Sequence, residues 1–159
     1  MGDNHKSYFV LTDTVVSEIK KGIQSHRFSK QELSHKSKFG GYVYELLKED
    51  KSRVYLCSEN GGEAGSTILE CYYKEGQPIF AVYRKYVFES KGHEYDSEKP
   101  ILTFEQANYI VENRTLKKAI TKNVKNELWS DEDIPSDVEL MNIIKSIQLE
   151  LAEEKIASP

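Results

Sequence analysis

The stretch from Glu70 to Glu89 (ECYYKEGQPIFAVYRKYVFE) constrains the fold more than any other part of this chain. A tyrosine-rich run enters a Lys-Glu-Gly-Gln-Pro turn, and a longer run of aromatic and β-branched residues leaves it, which is the sequence form of an antiparallel hairpin. In the outgoing strand, Phe80, Val82, Tyr86 and Phe88 share one face with Arg84, while Ile79, Ala81, Tyr83, Lys85 and Val87 share the other. Both faces are partly apolar, so this strand belongs at the centre of a sheet.

The neighbouring segments extend the pattern. Gly41 to Leu47 and Arg53 to Cys57 read as a strand pair around a Lys48 to Ser52 turn, with a glycine-rich connection from Ser58 to Ser66 that regular structure would not accommodate. Ser90 to Pro100 reads as a polar loop. The segment 103–128 supports two readings: Thr103-Phe104-Glu105-Gln106 has the form of a helix capping box, yet Asn108 to Ile120 also fits a third hairpin. Comparison within the chain favours the hairpin. Leu46-Leu47-Lys48-Glu49, Tyr72-Tyr73-Lys74-Glu75 and Tyr109-Ile110-Val111-Glu112 each place two apolar residues before a variable residue and Glu, and each precedes a returning strand.

Helices are expected at both ends. Val15, Val16, Ile19 and Ile23 recur at helical spacing, which predicts a helix over 12–24 after a flexible N-terminus over 1–11. Gly22 weakens its end. Residues 25–38 are polar and suit a covering loop or a ragged edge strand. After an acidic linker from Ser130 to Pro135, Ser136-Asp137-Val138-Glu139 forms a capping box, and Val138, Met141, Ile144, Ile147 and Leu151 form the apolar stripe of a helix over 136–155. The expected architecture is one α+β domain spanning 1–159. It is an antiparallel β-meander of five to seven strands, with sheet over 41–120 and both helices covering one face.

Composition bears mainly on what the chain binds. A net charge of −4 makes the surface as a whole a poor attractor for nucleic acid or anionic membrane. Five basic residues (Arg114, Lys117, Lys118, Lys122, Lys125) nevertheless fall between Asn113 and Asn126 with no acidic one, ahead of a strongly acidic C-terminal segment. No apolar run approaches the roughly 18 residues of a membrane span, and no signal-peptide pattern is present. Cys57 and Cys71 fall on adjacent strands, where a cross-strand disulfide and two separate reduced thiols are the two readings.

No catalytic, metal or nucleotide signature emerges. His5, His26, His35 and His93 lie in polar contexts without ligand spacing. Asp131, Asp133 and Asp137 alternate as in a calcium loop, but Pro135 interrupts the series and Asn142 stands where the twelfth-position Glu is required. Gly61-Gly62 and Gly65 lack phosphate-loop spacing. Tyr83-Arg84-Lys85-Tyr86 interleaves aromatic and basic side chains as single-strand nucleic-acid binders do, but strand alternation splits the set between two faces. No cofactor or metal is implied.

Gly62-Glu63-Ala64-Gly65 leading into Glu70 to Phe80, followed by Tyr109 to Lys118, resembles a group of small uncharacterised bacterial proteins, often exported lipoproteins, with repeated aromatic hairpins. The chain departs from that pattern at Arg114, where the turn glycine would stand, and at Ala119, where an aromatic residue is usual. The resemblance implies export and an antiparallel sheet, and no activity. The expected function is a non-enzymatic binding module that meets a protein or small ligand through a tyrosine-rich sheet face, with Tyr72, Tyr83, Arg84, Tyr86, Lys117 and Lys118 as candidate contacts. Two alternatives stand beside it. One is an intracellular immunity-type or adaptor protein recognising its partner by charge; the other is a small ligand carrier or enzyme in which Glu45, Glu70, Arg84 or Tyr86 converge in a cavity.

Overall fold

A computed structural model describes residues 2–32, 41–48, 51–61, 65–92, 94–122 and 135–146. Helix α1 (Gly2–Gln24) precedes seven strands: β1 (Ser29–Glu32), β2 (Gly41–Lys48), β3 (Lys51–Gly61), β4 (Gly65–Lys74), β5 (Gln77–Lys91), β6 (Glu94–Val111) and β7 (Arg114–Lys122). A second helix, α2, covers residues 137–146. The strands form one antiparallel sheet in chain order, β1 through β7, so the expected α+β meander is the fold observed.

Turn chemistry sets the register. Glu75 and Gly76 both adopt positive φ (53° and 79°), giving a two-residue turn that brings Lys74 opposite Gln77. The third hairpin forms with no glycine. Glu112 and Asn113 take φ of 51° and 64°, Asn being tolerant of that region, and Val111 pairs with Arg114. Residues 103–111 are therefore strand, and Arg114 opens β7.

The helices lie on opposite faces of the sheet, which corrects the expectation that both cover one. Alternation on β3 to β6 divides the core into two clusters. Val15, Val16 and Ile19 of α1 pack with Tyr55, Cys57, Tyr72, Phe80, Val82 and Tyr109. Leu140, Met141 and Ile144 of α2 pack with Leu56, Leu69, Cys71, Tyr73, Ala81 and Ile110. Each strand contributes alternate residues to each cluster, and a strand apolar on both faces needs a cover on both.

Helix α1 starts at Gly2, ten residues before Thr12, where a flexible N-terminus was expected. Its added turns have tertiary anchors: Tyr8 donates its hydroxyl to the Ile110 carbonyl at 2.6 Å, and the Phe9 ring stacks on Tyr109 at 4.1 Å. At the other end His26 takes the left-handed conformation (φ 58°), with Arg27 N–H bonding the Gly22 carbonyl and His26 N–H that of Ile23, a Schellman stop. Gly22 has a packing role as well, because a Cβ there would collide with the Phe28 ring that closes this end of the core.

Two segments expected to be irregular are strand. The glycine-rich connection is shorter than expected, since β3 continues to Gly61 and β4 begins at Gly65. Residues 90–91 and 94–100 belong to β5 and β6, with Gly92 (φ 65°) after β5 and Lys91 opposite Glu94. This ribbon extends beyond the last β4 partner, Val87, and beyond the first β6 residue paired to β7, Phe104. Among the described residues no helix covers this ribbon, and a backbone ladder needs no apolar residues, so the segment is polar although it is strand.

The two cysteines are free and buried. Cys71 pairs with Leu56 while Cys57 pairs with Glu70, an offset of one residue that sends the two thiols to opposite faces. A cross-strand disulfide is incompatible with this register.

Candidate functional site

Three polar groupings stand out among the described residues. The first lies on the α1 side of the sheet, across four adjacent strands. Arg84 on β5 directs Nη1 to the Glu70 carboxylate on β4 and Nε to Glu105 on β6 at 2.5 Å, while the Tyr55 hydroxyl on β3 donates to the other Glu70 oxygen. Register explains the meeting: Arg84 stands directly opposite Glu105, and Glu70 is its diagonal neighbour. The side chain of Glu70 is 13% exposed, so its charge depends on these partners.

The second joins α1 to β6 and β7. Tyr109 donates its hydroxyl to the Asp13 carboxylate at 3.0 Å, and Lys118 Nζ reaches the same carboxylate at 2.9 Å while lying 5.5 Å from the centres of both the Phe80 and Tyr109 rings. Hydrogen bonding to Asp13 raises the Lys118 pKa, and burial, reinforced by the Asp13 contact, raises that of Tyr109.

The third is a groove of about 370 Å³ between the β6–β7 turn and α2. Residues Asn113 to Leu116 form one wall, and Asp137, Val138, Met141, Asn142 and Lys145 form the other. The α2 residues recur at i, i+1, i+4, i+5 and i+8, which places them along one helical face. The helix start is fixed by the expected capping box: Glu139 N–H bonds Ser136 Oγ at 3.2 Å, and Ser136 Oγ–H faces Glu139 Oε1 at 3.2 Å. Thr115 is 5% exposed, and its hydroxyl is buried with no hydrogen-bond partner among the described residues. A buried hydroxyl left unpaired costs about 1–3 kcal/mol. Arg114 and Lys145 on the groove walls form no ion pair with any described residue.

The sequence candidates separate under this geometry. Tyr72 is 2% exposed, lying between the Tyr55 and Phe80 rings at 5.1 and 5.9 Å, and α1 covers it. The tyrosine-rich face is thus core, because Tyr55, Tyr72 and Tyr109 bury their rings beneath the helix. Tyr83 is half-buried on the α2 side against Phe104. Arg84 is ion-paired, and Tyr86 is half-buried further along β5. Lys118 is held by Asp13, while Lys117 stands opposite Asn108 in the ladder with its side chain outside the described residues. Of the ligand-carrier set, Glu70 and Arg84 do meet; the Glu45 side chain lies outside the described residues. So do Asp131, Asp133, His35 and His93, and among the described residues no three His, Cys, Asp or Glu side chains cluster to hold a metal.

No described helix is long and apolar enough to cross a membrane. Comparison of the chain with protein-family models, curated proteins and solved structures finds no match.

The buried ionisable groups give a pH prediction. Burial pushes the Cys71 thiol up to about 12 and Tyr73 well above its ordinary value, and Tyr109 is raised too. Each ionises earlier in the unfolded chain, so stability falls once pH exceeds the unfolded thiol value of about 8.5. Lys118 acts in the same direction, since its contribution is full below its unfolded pKa and is lost as pH rises through the raised folded one. Urea midpoints are expected to stay level from pH 7 to about 8.5 and then decline, Cys71 contributing at most about 1.4 kcal/mol per pH unit. Cys71→Ala is expected to remove the first part of that decline; a wild-type midpoint unchanged to pH 10.5 would contradict it.

Proposed function

We propose that this protein is a non-enzymatic binding module whose ligand seat is the groove between the β6–β7 turn and α2. The observation that carries this reading is Thr115, which lines an open groove while its hydroxyl is buried with no hydrogen-bond partner among the described residues. A polar atom in that state calls for an explanation, and a ligand that opens this wall of the adjoining groove supplies one. The size suits a small molecule, and apolar surface from Val138 and Met141 lies beside a few polar groups, the usual make-up of such sites. The other two groupings favour the groove by contrast, since Arg84, Glu70 and Glu105 satisfy one another, as do Asp13, Tyr109 and Lys118. A charge-led adaptor has less support, because Lys118 already has its counter-ion. Export, which the resemblance implies, is carried as part of the proposal and is tested by locating the native protein in cell fractions.

The test is mapping of amide and methyl NMR shifts while a mixed set of small fragments is titrated onto the whole chain. Perturbations are expected to gather at residues 113–116 and 138–145. If they gather instead around Arg84 and Glu105, the seat is misplaced and the α1-side row replaces it.

A further inference from the structure

We infer that the groove takes a small organic carboxylate with an apolar body; this rests on the groove being the ligand seat. The chain carries more acid than base, 26 Asp and Glu against 22 Lys and Arg, yet among the described residues the groove walls hold Arg114 and Lys145 against a single acid, Asp137. The cations of the other two groupings have carboxylates in place: Arg84 has Glu70 and Glu105, and Lys118 has Asp13. Arg114 and Lys145 have none among the described residues, so an incoming anion would meet two cations without displacing a described carboxylate.

The donor types point to a carboxylate. A guanidinium presents a planar fork that matches two carboxylate oxygens, an ammonium adds a point charge, and the buried Thr115 hydroxyl, without an acceptor among the described residues, becomes a third donor where the ligand opens this wall. Asp137 fixes polarity. It lies at the start of α2, and Lys145 is eight residues on, about 12 Å along the helix axis, so an anionic group is repelled from one end of this wall and attracted to the other. Val138, 70% exposed, and Met141 lie between these charges and offer apolar surface that an inorganic anion would not use.

The experiment titrates the full chain with 4-phenylbutyrate, 4-phenylbutanamide and 4-phenylbutylamine at constant ionic strength, following the Thr115 and Met141 methyl signals. The carboxylate is expected to shift both saturably and to bind about tenfold more tightly than the amide, the difference that a charge-assisted contact supplies. Arg114→Gln and Lys145→Gln are each expected to lower that affinity several-fold while leaving the amide unaffected. Thr115→Val should weaken phenylbutyrate binding yet raise the urea midpoint of the free protein, because it removes a hydroxyl that has no partner. A purely structural threonine would lose stability instead. Equal binding of amide and carboxylate, tighter binding of the amine, or full phenylbutyrate affinity in both Gln variants overturns the carboxylate inference and leaves the seat standing. Absence of any saturable shift at the groove with all three probes overturns both.

Discussion

Tyr72→Ala is expected to lower the unfolding free energy by about 3–5 kcal/mol, the range for deleting a buried aromatic ring. Tyr72 stands in the middle of a row of rings that crosses the sheet under α1. Tyr55, Tyr72, Phe80 and Tyr109 follow one another at 5.1, 5.9 and 5.6 Å, and Phe9 of the helix closes the row on Tyr109 at 4.1 Å. Removing the second ring leaves a cavity that neither β3 nor β5 can fill, because their positions are fixed by continuous ladders on both sides. Against a total stability of about 5–15 kcal/mol for a domain of this kind, the loss is enough to unfold part of the population at 37 °C. Tyr95→Ala is the control. That residue is 42% exposed on the β5–β6 ribbon, and its removal should change stability by less than about 0.5 kcal/mol. Urea denaturation followed by circular dichroism checks both; a Tyr72→Ala protein within 1 kcal/mol of the parent would mean that the ring is a surface contact after all.

That contrast shows why the tyrosines misled a reading from sequence. Ten tyrosines in a polar chain suggest strands with a wet face. In the fold, Tyr55 and Tyr109 bury their rings and pass their hydroxyls to Glu70 and Asp13, so a polar atom at the tip accompanies an apolar body in the core. Nothing local to either tyrosine reveals its carboxylate, which arrives from another strand or from α1. Features decided by neighbours in the chain were legible. The Glu75-Gly76 turn, the Ser136 capping box and the Val15 to Ile19 stripe each depend on residues within one turn or one helix. The double apolar character of β5 was legible too, and it already implied a cover on each face; only the assignment of both helices to one face went against it. Polar strands such as 90–100 were hidden because backbone ladders carry no side-chain signature. Thr115 was hidden for a related reason, since lacking a hydrogen-bond partner is a property of its surroundings. The basic segment that includes Arg114 was the nearest signal to the groove, and it pointed at Lys117 and Lys118 instead.

Arg84→Met is expected to cost about 2–3 kcal/mol, below the full range for breaking a buried ion pair because the Arg84 side chain is 27% exposed and water can partly replace it. The loss comes mainly from Glu70, which would keep the Tyr55 hydroxyl but no cation while remaining largely shielded from solvent. Glu70→Gln relieves that charge. In the Arg84→Met background it should therefore restore part of the stability, giving a double-mutant coupling of about 1–2 kcal/mol. Glu105→Gln alone should cost less than about 1 kcal/mol, since its carboxylate is 34% exposed and its pairing is weakened by salt. Urea unfolding of the four-protein cycle at low and high salt measures these terms. If Arg84→Met and Glu70→Gln prove additive within about 0.5 kcal/mol, the two charges do not depend on each other for stability. Arg84 would then be a cation available to an incoming anion, and the row from Tyr55 to Glu105 would displace the groove as the place to look for a ligand.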